Sequence, residues 1–560
     1  IATTILNSGN TDIIPMDQLL AACARIASVM KDQYVQFMPA VLPHILKRAT
    51  EKLEVSVTDD GSNNANDESE NGIEGYTVSI PGMGSKKVKI NTTQLEEKAQ
   101  SARALYEHAR ALGKEFAPFV EASANAFLPL VHCEYSGDVR STSAQALCQV
   151  FKAACLAAAE NDACNNANGA AQSLLPVLAR ALTKQLAKEG DEDDIENRYA
   201  IADALSEIMW DAYEHKAANG ERVAQITVAD ARELVRRLMS LISSCINRRS
   251  TLLSEMADYS FDDDEIARCE ERAHAEAEYL THLVDSVGYQ LKSLGESFAP
   301  IFGESMAGLF GQLLTASSGG TYDARAKLAA ICLFDDCVEH CGSSVATAYA
   351  PALLGGIKEV LDDKNQANEE SDVELKQAAV YGISQVARHA PKALSPAMGQ
   401  ELLMKVYSIA KEVETVSKGD MEHVTLVENA VSAMASLALF RGSPLFDSVS
   451  SEKGALTKVF LAGLPLEADY DEAGICHDGL CDLVELNLIN VQAEYGTLIR
   501  IVGKIMASVS DGEEVATQNT CARLMGVINK IQQSVDGNSI QSVFSALEPD
   551  VQQALVTAMQ

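Results

Sequence analysis

Apolar positions along the chain recur at helical rather than strand spacing. From Leu95 they run Leu95, Ala99, Ala102, Tyr106 and Ala109, and Gly113 follows as a helix stop. Gly137-Asp138-Val139-Arg140 leads into Ala144, Leu147, Val150, Phe151 and Ala154. Tyr322-Asp323-Ala324-Arg325 leads into Leu328, Cys332 and Val338, and Ser371-Asp372-Val373 into Leu375, Ala378, Ala379 and Ile383. An aspartate at the head of such a run accepts bonds from the free N–H groups of a helix start. Each run predicts an amphipathic helix with one face to bury.

A second phrase precedes these runs: an aromatic or small residue, then a proline, then an apolar helix. It reads Phe37-Met38-Pro39, Phe116-Ala117-Pro118-Phe119 and Phe298-Ala299-Pro300-Ile301-Phe302, with weaker copies at Tyr349-Ala350-Pro351 and Leu394-Ser395-Pro396. Pro300 to Pro351 is 51 residues, Pro351 to Pro396 is 45, and Pro129 to Pro176 is 47. Proline suits the first turn of a helix, so each copy predicts the start of a first helix. Periods in the forties predict antiparallel helix pairs of the HEAT type. Such pairs stack because none can bury its face alone. The expected fold is all-α: one right-handed α-solenoid over residues 1–560, with roughly 11–12 repeats at this period.

Two segments break the rhythm. Within 51–93, the stretch Thr58 to Gly72 is acidic and Asn-rich and predicts a disordered loop. Alternation at Tyr76, Val78 and Ile80, a Pro81-Gly82-Met83-Gly84 turn, and alternation at Val88 and Ile90 predict a short β-hairpin or extended excursion after it. Within 250–293, an acidic segment predicts an overlong second helix or a helix with an acidic loop.

Composition then narrows the partners. The 560 residues carry 45 Lys+Arg against 79 Asp+Glu, a net charge of −34, which disfavours phosphate backbones and anionic lipid and favours basic proteins. Aromatics are 5% with one tryptophan, Trp210, as suits close-packed alanine- and leucine-rich helices. Thirteen scattered cysteines predict reduced thiols rather than a disulfide framework. No apolar run reaches membrane-spanning length, and a start at Ile1 reads as a piece of a longer protein.

Ile331-Cys332-Leu333-Phe334-Asp335-Asp336-Cys337-Val338-Glu339-His340-Cys341 resembles a characteristic helix of the importin-5 branch of the importin-β-like karyopherins. Leu95-Glu96-Glu97-Lys98-Ala99, Gln377-Ala378-Ala379-Val380-Tyr381-Gly382, Glu428-Asn429-Ala430-Val431-Ser432-Ala433, Leu464-Pro465-Leu466-Glu467 and Leu480-Cys481-Asp482-Leu483-Val484-Glu485 resemble further stretches, in the family's order. The resemblance is to the C-terminal half of such a receptor. It implies a monomeric import receptor shuttling between cytoplasm and nucleus through the nuclear pore. Its implied partners are basic cargo such as ribosomal proteins and histones, phenylalanine-glycine nucleoporins, and Ran, whose GTP form releases cargo. A match to that half also implies that the family's N-terminal Ran-binding repeats are not among these residues.

Cargo binding requires an acidic surface, and second helices usually line the inside of such a superhelix. Asp335, Asp336 and Glu339 share one helix at i, i+1 and i+4; Asp482 and Glu485 stand at i, i+3; Glu96 and Glu97 open another second helix. Asp262, Asp263 and Asp264 form an acidic run. Helix capping and pairing with arginines explain such carboxylates as well as partner binding does.

Other chemistry is weaker. Cys332, Cys337, His340 and Cys341, and Cys476, His477 and Cys481, lack the spacing of four converging zinc ligands. No G-x-S-x-G elbow, P-loop or dinucleotide fingerprint is present, so catalysis and cofactors are not expected. Lys86, Lys87 and Lys89 and the Arg236-Arg237 and Arg248-Arg249 pairs are too short to outweigh the net charge. The competing reading is a static HEAT scaffold, resembling a phosphatase regulatory subunit, with no nucleotide switch.

Overall fold

The computed structural model describes residues 16–59, 73–80, 84–160, 167–189, 195–257, 262–315, 323–362, 370–417, 419–441 and 454–559. They form two compact units, Ile1–Ile301 and Phe302–Gln560.

In the first unit the helices are α1 (Met16–Met30), α2 (Met38–Thr50), α3 (Thr92–Leu112), α4 (Val120–Phe127), α5 (Gly137–Glu160), α6 (Ala167–Leu186), α7 (Ile195–Glu214), α8 (Val228–Met256) and α9 (Asp263–Leu294). Second helices α1, α3, α5, α7 and α9 stack in a row, each on the next, and α2, α4, α6 and α8 pack against them from one side. Alanine makes the close stacking possible. Helix α5 buries Ala144, Ala146, Ala153, Ala154, Ala157 and Ala158, so helices can approach it from several directions.

The bridging helix α10 (Ala299–Ser305) is followed in the second unit by α11 (Ala307–Leu314), α12 (Ala324–His340), α13 (Ser343–Asp362), α14 (Glu370–His389), α15 (Pro396–Ala410), α16 (Met421–Arg441), α17 (Ala455–Ala462), α18 (Tyr470–Glu485), α19 (Val491–Ser510), α20 (Gln518–Ser534), α21 (Gly537–Ser545) and α22 (Pro549–Ala558). Here α12, α14, α16, α18 and α20 are the stacked second helices. The described residues therefore hold ten second helices, fewer than the period alone suggests. The β insertion and the 29- and 32-residue helices α8 and α9 take up the difference.

Capping fixes the helix starts. Asn91 accepts from the Gln94 N–H at α3, and Asp323 accepts from the Arg325 and Ala326 N–H groups at α12. At α9, Asp262 and Glu265 form a reciprocal capping box. Gly113 and Gly295 end α3 and α9 at φ 52° and 55°, a region that disfavours side chains.

The proline phrase marks helix starts less regularly than expected. Pro396 opens α15 and Pro39 lies in the first turn of α2, but Pro351 and Pro176 are inside α13 and α6. Pro118 sits in a 3-10 turn, Gly113–Phe119, ahead of α4. Each internal proline removes one N–H bond, which a helix held by packing on its neighbours tolerates.

The excursion in 51–93 is a three-stranded antiparallel sheet. Strands β2 (Ile73–Ile80) and β3 (Gly84–Asn91) form the anticipated hairpin, and β1 (Val55–Asp59), which was not anticipated, pairs with β3 to give the order β1-β3-β2. Of the expected acidic loop, Thr58 and Asp59 belong to β1, and 60–72 lie outside the described residues. Ile90 anchors β3 by packing with Leu95, Ala99 and Val139. Among the described residues no helix is long and apolar enough to cross a membrane.

Candidate protein-binding surface

Each second helix turns one side to the core and one outward, so the fate of a carboxylate depends on its place around the helix. On α12, Phe334 packs edge-on against Phe302 and Tyr349, at centroid separations of 5.2 and 5.8 Å, which fixes the helix rotation. That rotation turns Asp335 inward. It is 2% exposed, and a Cβ placed on Gly382 of α14 would lie 2.4 Å from its Oδ1. Asp335 thus belongs to the α12–α14 packing and not to an open acidic face, which corrects the expectation for this residue. Asp336 and Glu339 are half-buried. The Tyr381 hydroxyl donates to Glu339 at 3.0 Å, and His340 Nε2 stands 3.7 Å from the same carboxylate. Burial first, and the Glu339 charge next, push the Tyr381 phenol up.

On α18, Asp482 and Glu485 face Arg523 of α20. Arg523 Nη2 is 2.9 Å from Glu485 Oε2 and bonds Asp482, and its Nη1 is 2.8 Å from Asp478. The Arg523 hydrogen bond holds the Glu485 carboxyl below its ordinary range. Beneath lies a pair that the sequence did not single out: Arg388 of α14 donates to Glu472 of α18 at 2.8 Å, with Ser432 of α16 donating to the other oxygen. Glu428 accepts from the Glu467, Ala468 and Asp469 N–H groups at 2.7–3.1 Å, and burial still pushes its carboxyl up. A cleft of about 530 Å³ opens above these pairs. Its lining includes Asp471, Asp478, Asp482 and Glu514 beside apolar Leu439 and Ile475, and Arg388 is its one cation. Tyr470 and Ile475 at its edge are 46% and 44% exposed. Four carboxylates beside apolar wall suit a basic side chain with a hydrocarbon stem.

In the first unit, Glu97 pairs with Arg48 of α2 at 3.1 Å, and Glu96 is exposed, accepting from Gln100 at 3.1 Å. Asp262 caps α9, while Asp263 and Asp264 sit exposed in its first turn, where the helix dipole favours them. The acidic candidates are therefore not one surface. Asp482 lines the cleft, Glu485 is held on Arg523 beside Asp482, Glu97 and Asp262 have helix-tying or capping partners, and Asp335 is interior.

Of the two cysteine groups, Cys337, Cys341, Cys476 and Cys481 are buried and Cys332 is half-buried. Cys337 and Cys341 are buried a turn apart on α12 and at its end. His477 uses both ring nitrogens on backbone, accepting from Leu466 N–H at 3.2 Å and donating to Val515 O at 2.9 Å, which leaves no lone pair for a metal.

No protein-family model matches the chain. Among solved structures it is similar to the karyopherin Kap121p bound to the SUMO protease Ulp1p, with a TM-score of 0.68 at 16% identity over 99% of this chain. It is likewise similar to Kap121p bound to Nup53p, with a TM-score of 0.68 at 15% identity, and to Kap121p bound to RanGTP, with a TM-score of 0.67 at 16% identity, each over 99% of the chain. At such identity the likeness is one of fold: the chain is an all-α HEAT-repeat solenoid. It spans about 45% of the length of the Kap121p chains it matches.

Proposed function

We propose that the chain is part of a nuclear transport receptor of the importin-β superfamily, of the importin-5 branch and from its C-terminal half. In this reading it binds basic cargo through acidic ground on its second helices. The observation that carries the reading is the likeness to Kap121p along 99% of the chain. The net charge of −34 and the carboxylate-lined cleft of the second unit support the basic character of the cargo. In the full-length receptor, nucleoporin contacts carry the complex between cytoplasm and nucleus and Ran-GTP releases the cargo.

The test of the cargo site is a titration of a histone-tail or ribosomal-protein segment against the chain. With Asp471→Lys and Asp478→Lys the affinity should fall tenfold or more, and the native affinity should fall as salt rises, because exposed charges are screened beyond about 10 Å at 0.1 M. Unchanged affinity in the double variant would remove the cleft from the account. Binding of cargo that Ran never alters in the parent protein would favour the static scaffold.

A further inference from the structure

Where α5 packs against α7, three side chains of the kinds that hold metal ions come together. Cys148 of α5 is 3% exposed and Asp211 of α7 is 0% exposed, while Glu207, one turn before Asp211, reaches solvent. The Cys148 Sγ and one carboxylate oxygen from each acid lie within 4.8 Å of one another. The spacing of four puts both acids on one face of α7, and only the packing of α5 adds the thiol.

Asp211 carries the argument. A buried carboxylate is normally paired, yet neither of its oxygens accepts a hydrogen bond. Lys152 Nζ and His215 Nδ1 stand 3.7 and 3.6 Å from its Oδ1, beyond hydrogen-bond reach. His215 Nδ1 is instead 2.9 Å from the Asp211 backbone oxygen, to which it donates. Burial pushes the Asp211 carboxyl up to about 6. Burial, then the charges of Asp211 and Glu207, push the Cys148 thiol well up. Negative charge thus gathers here beyond what the chain's own cations meet.

We propose that Cys148, Glu207 and Asp211 bind one divalent cation of the zinc type, which ties α5 to α7. The donor set selects the class. A thiolate beside carboxylates suits a borderline-soft ion, whereas magnesium and calcium take oxygen ligands and gain nothing from sulfur. At bonds of about 2.0–2.3 Å, tetrahedral ligand atoms stand about 3.3–3.7 Å apart, so the three groups close by about 1 Å. Water takes the fourth position. As the metal–sulfur bond forms, the thiol proton leaves to solvent and nothing is oxidised; the ion itself overcomes the raised thiol pKa. Glu207 gives the ion its way in, and the Lys152 side chain, 38% exposed, turns to water as the ion replaces it. The inference does not depend on the transport reading, since a scaffold could be tied in the same way.

The test uses the chelator-treated native chain, titrated with cobalt chloride as a coloured stand-in for zinc and then with zinc chloride. Trp210, the chain's one tryptophan, precedes Asp211 on α7 and is 37% exposed beside Tyr289 of α9. Cobalt should bind once per chain, give a thiolate-to-metal charge-transfer band and quench Trp210. Zinc should reverse both signals, and magnesium in excess should reverse neither. Cys148→Ala should lose the band. Asp211→Asn should weaken cobalt by about tenfold or more, the loss that even an outer-shell change brings. Zinc should also raise the tryptophan-detected melt of the native chain and leave that of Asp211→Asn unmoved. No band at saturation, a band that persists in Cys148→Ala, an affinity within twofold in Asp211→Asn, or displacement by magnesium would each overturn the proposal. The cobalt and magnesium arms need no variant and so stand even if a variant folds poorly.

Discussion

Glu276 of α9 offers the sharpest test of how the first unit is held together. It is 3% exposed and accepts from Arg198 of α7 at 3.0 Å and from Arg248 of α8 at 2.8 and 2.9 Å, with the Cys245 thiol at 3.2 Å. One carboxylate thus ties two second helices and a first helix. Arg248 has a side chain 21% exposed and can turn to water, but Arg198, at 4%, cannot. Glu276→Gln keeps the shape and leaves the Arg198 charge buried without its counter-ion, a loss of about 3–5 kcal/mol. At about 2 °C per kcal/mol for a unit of this size, the melting point should fall by roughly 6–10 °C.

Repeat stability is local, so this fall should appear in the first unit. Trp210 emission reports that unit alone, while circular dichroism reports both. The double variant Arg198→Met, Glu276→Leu removes buried charge from both sides and should recover most of the loss. Acid gives a further arm. Burial raises the Glu276 carboxyl, but the Arg248 hydrogen bonds and the two arginine charges outweigh it and hold the group below its ordinary range. Its stabilisation is therefore complete above the ordinary carboxylate pKa of about 4.3 and disappears as pH falls through the lower folded value. A Gln variant whose tryptophan melt stays within 2 °C of the native chain would refute the reasoning.

Three other outcomes follow from the second unit. Gly382→Ala drives a Cβ to 2.4 Å from Asp335 Oδ1 and 2.8 Å from Ile357, so a helix-favouring substitution should instead destabilise by about 1–2 kcal/mol in a chemical melt. Burial depresses the His477 imidazole to about 4, so the folded form binds fewer protons than the unfolded one between that value and about 6.5. Stability should therefore be present above about pH 6.5 and decline by up to about 3 kcal/mol as pH falls toward 4, a slope that His477→Gln should flatten in paired melts. Arg523→Ala releases Asp478 and Asp482 of the cleft lining from their arginine, and calorimetry should find a basic peptide bound more tightly, by about 0.2–1 kcal/mol, rather than less.

The helices were legible because their apolar spacing is a local property, and the Asp323 cap and the β2–β3 hairpin were legible for the same reason. Strand β1 was hidden by shortness: five residues, Val55–Asp59, run straight into an acidic stretch. Burial of charge was hidden by distance. Arg198 meets Glu276 across 78 residues and Arg388 meets Glu472 across 84, separations that periodicity does not register. Asp335 did leave a signal, since it lies four residues after Ile331 and three before Val338, on the stripe that α12 buries. The weight given to its acidic neighbours hid that. The exposed position of Trp210 depends on which flank α9 leaves open, and this is decided by packing rather than by sequence.

The most direct measurement is release. The full-length parent and this chain are each loaded with a labelled basic histone-tail segment, then challenged in parallel with GTP-loaded and GDP-loaded Ran, and the bound label is read. The account predicts that cargo leaves the parent with the GTP form and stays with the GDP form. Cargo retained by the parent under both forms would contradict a transport receptor.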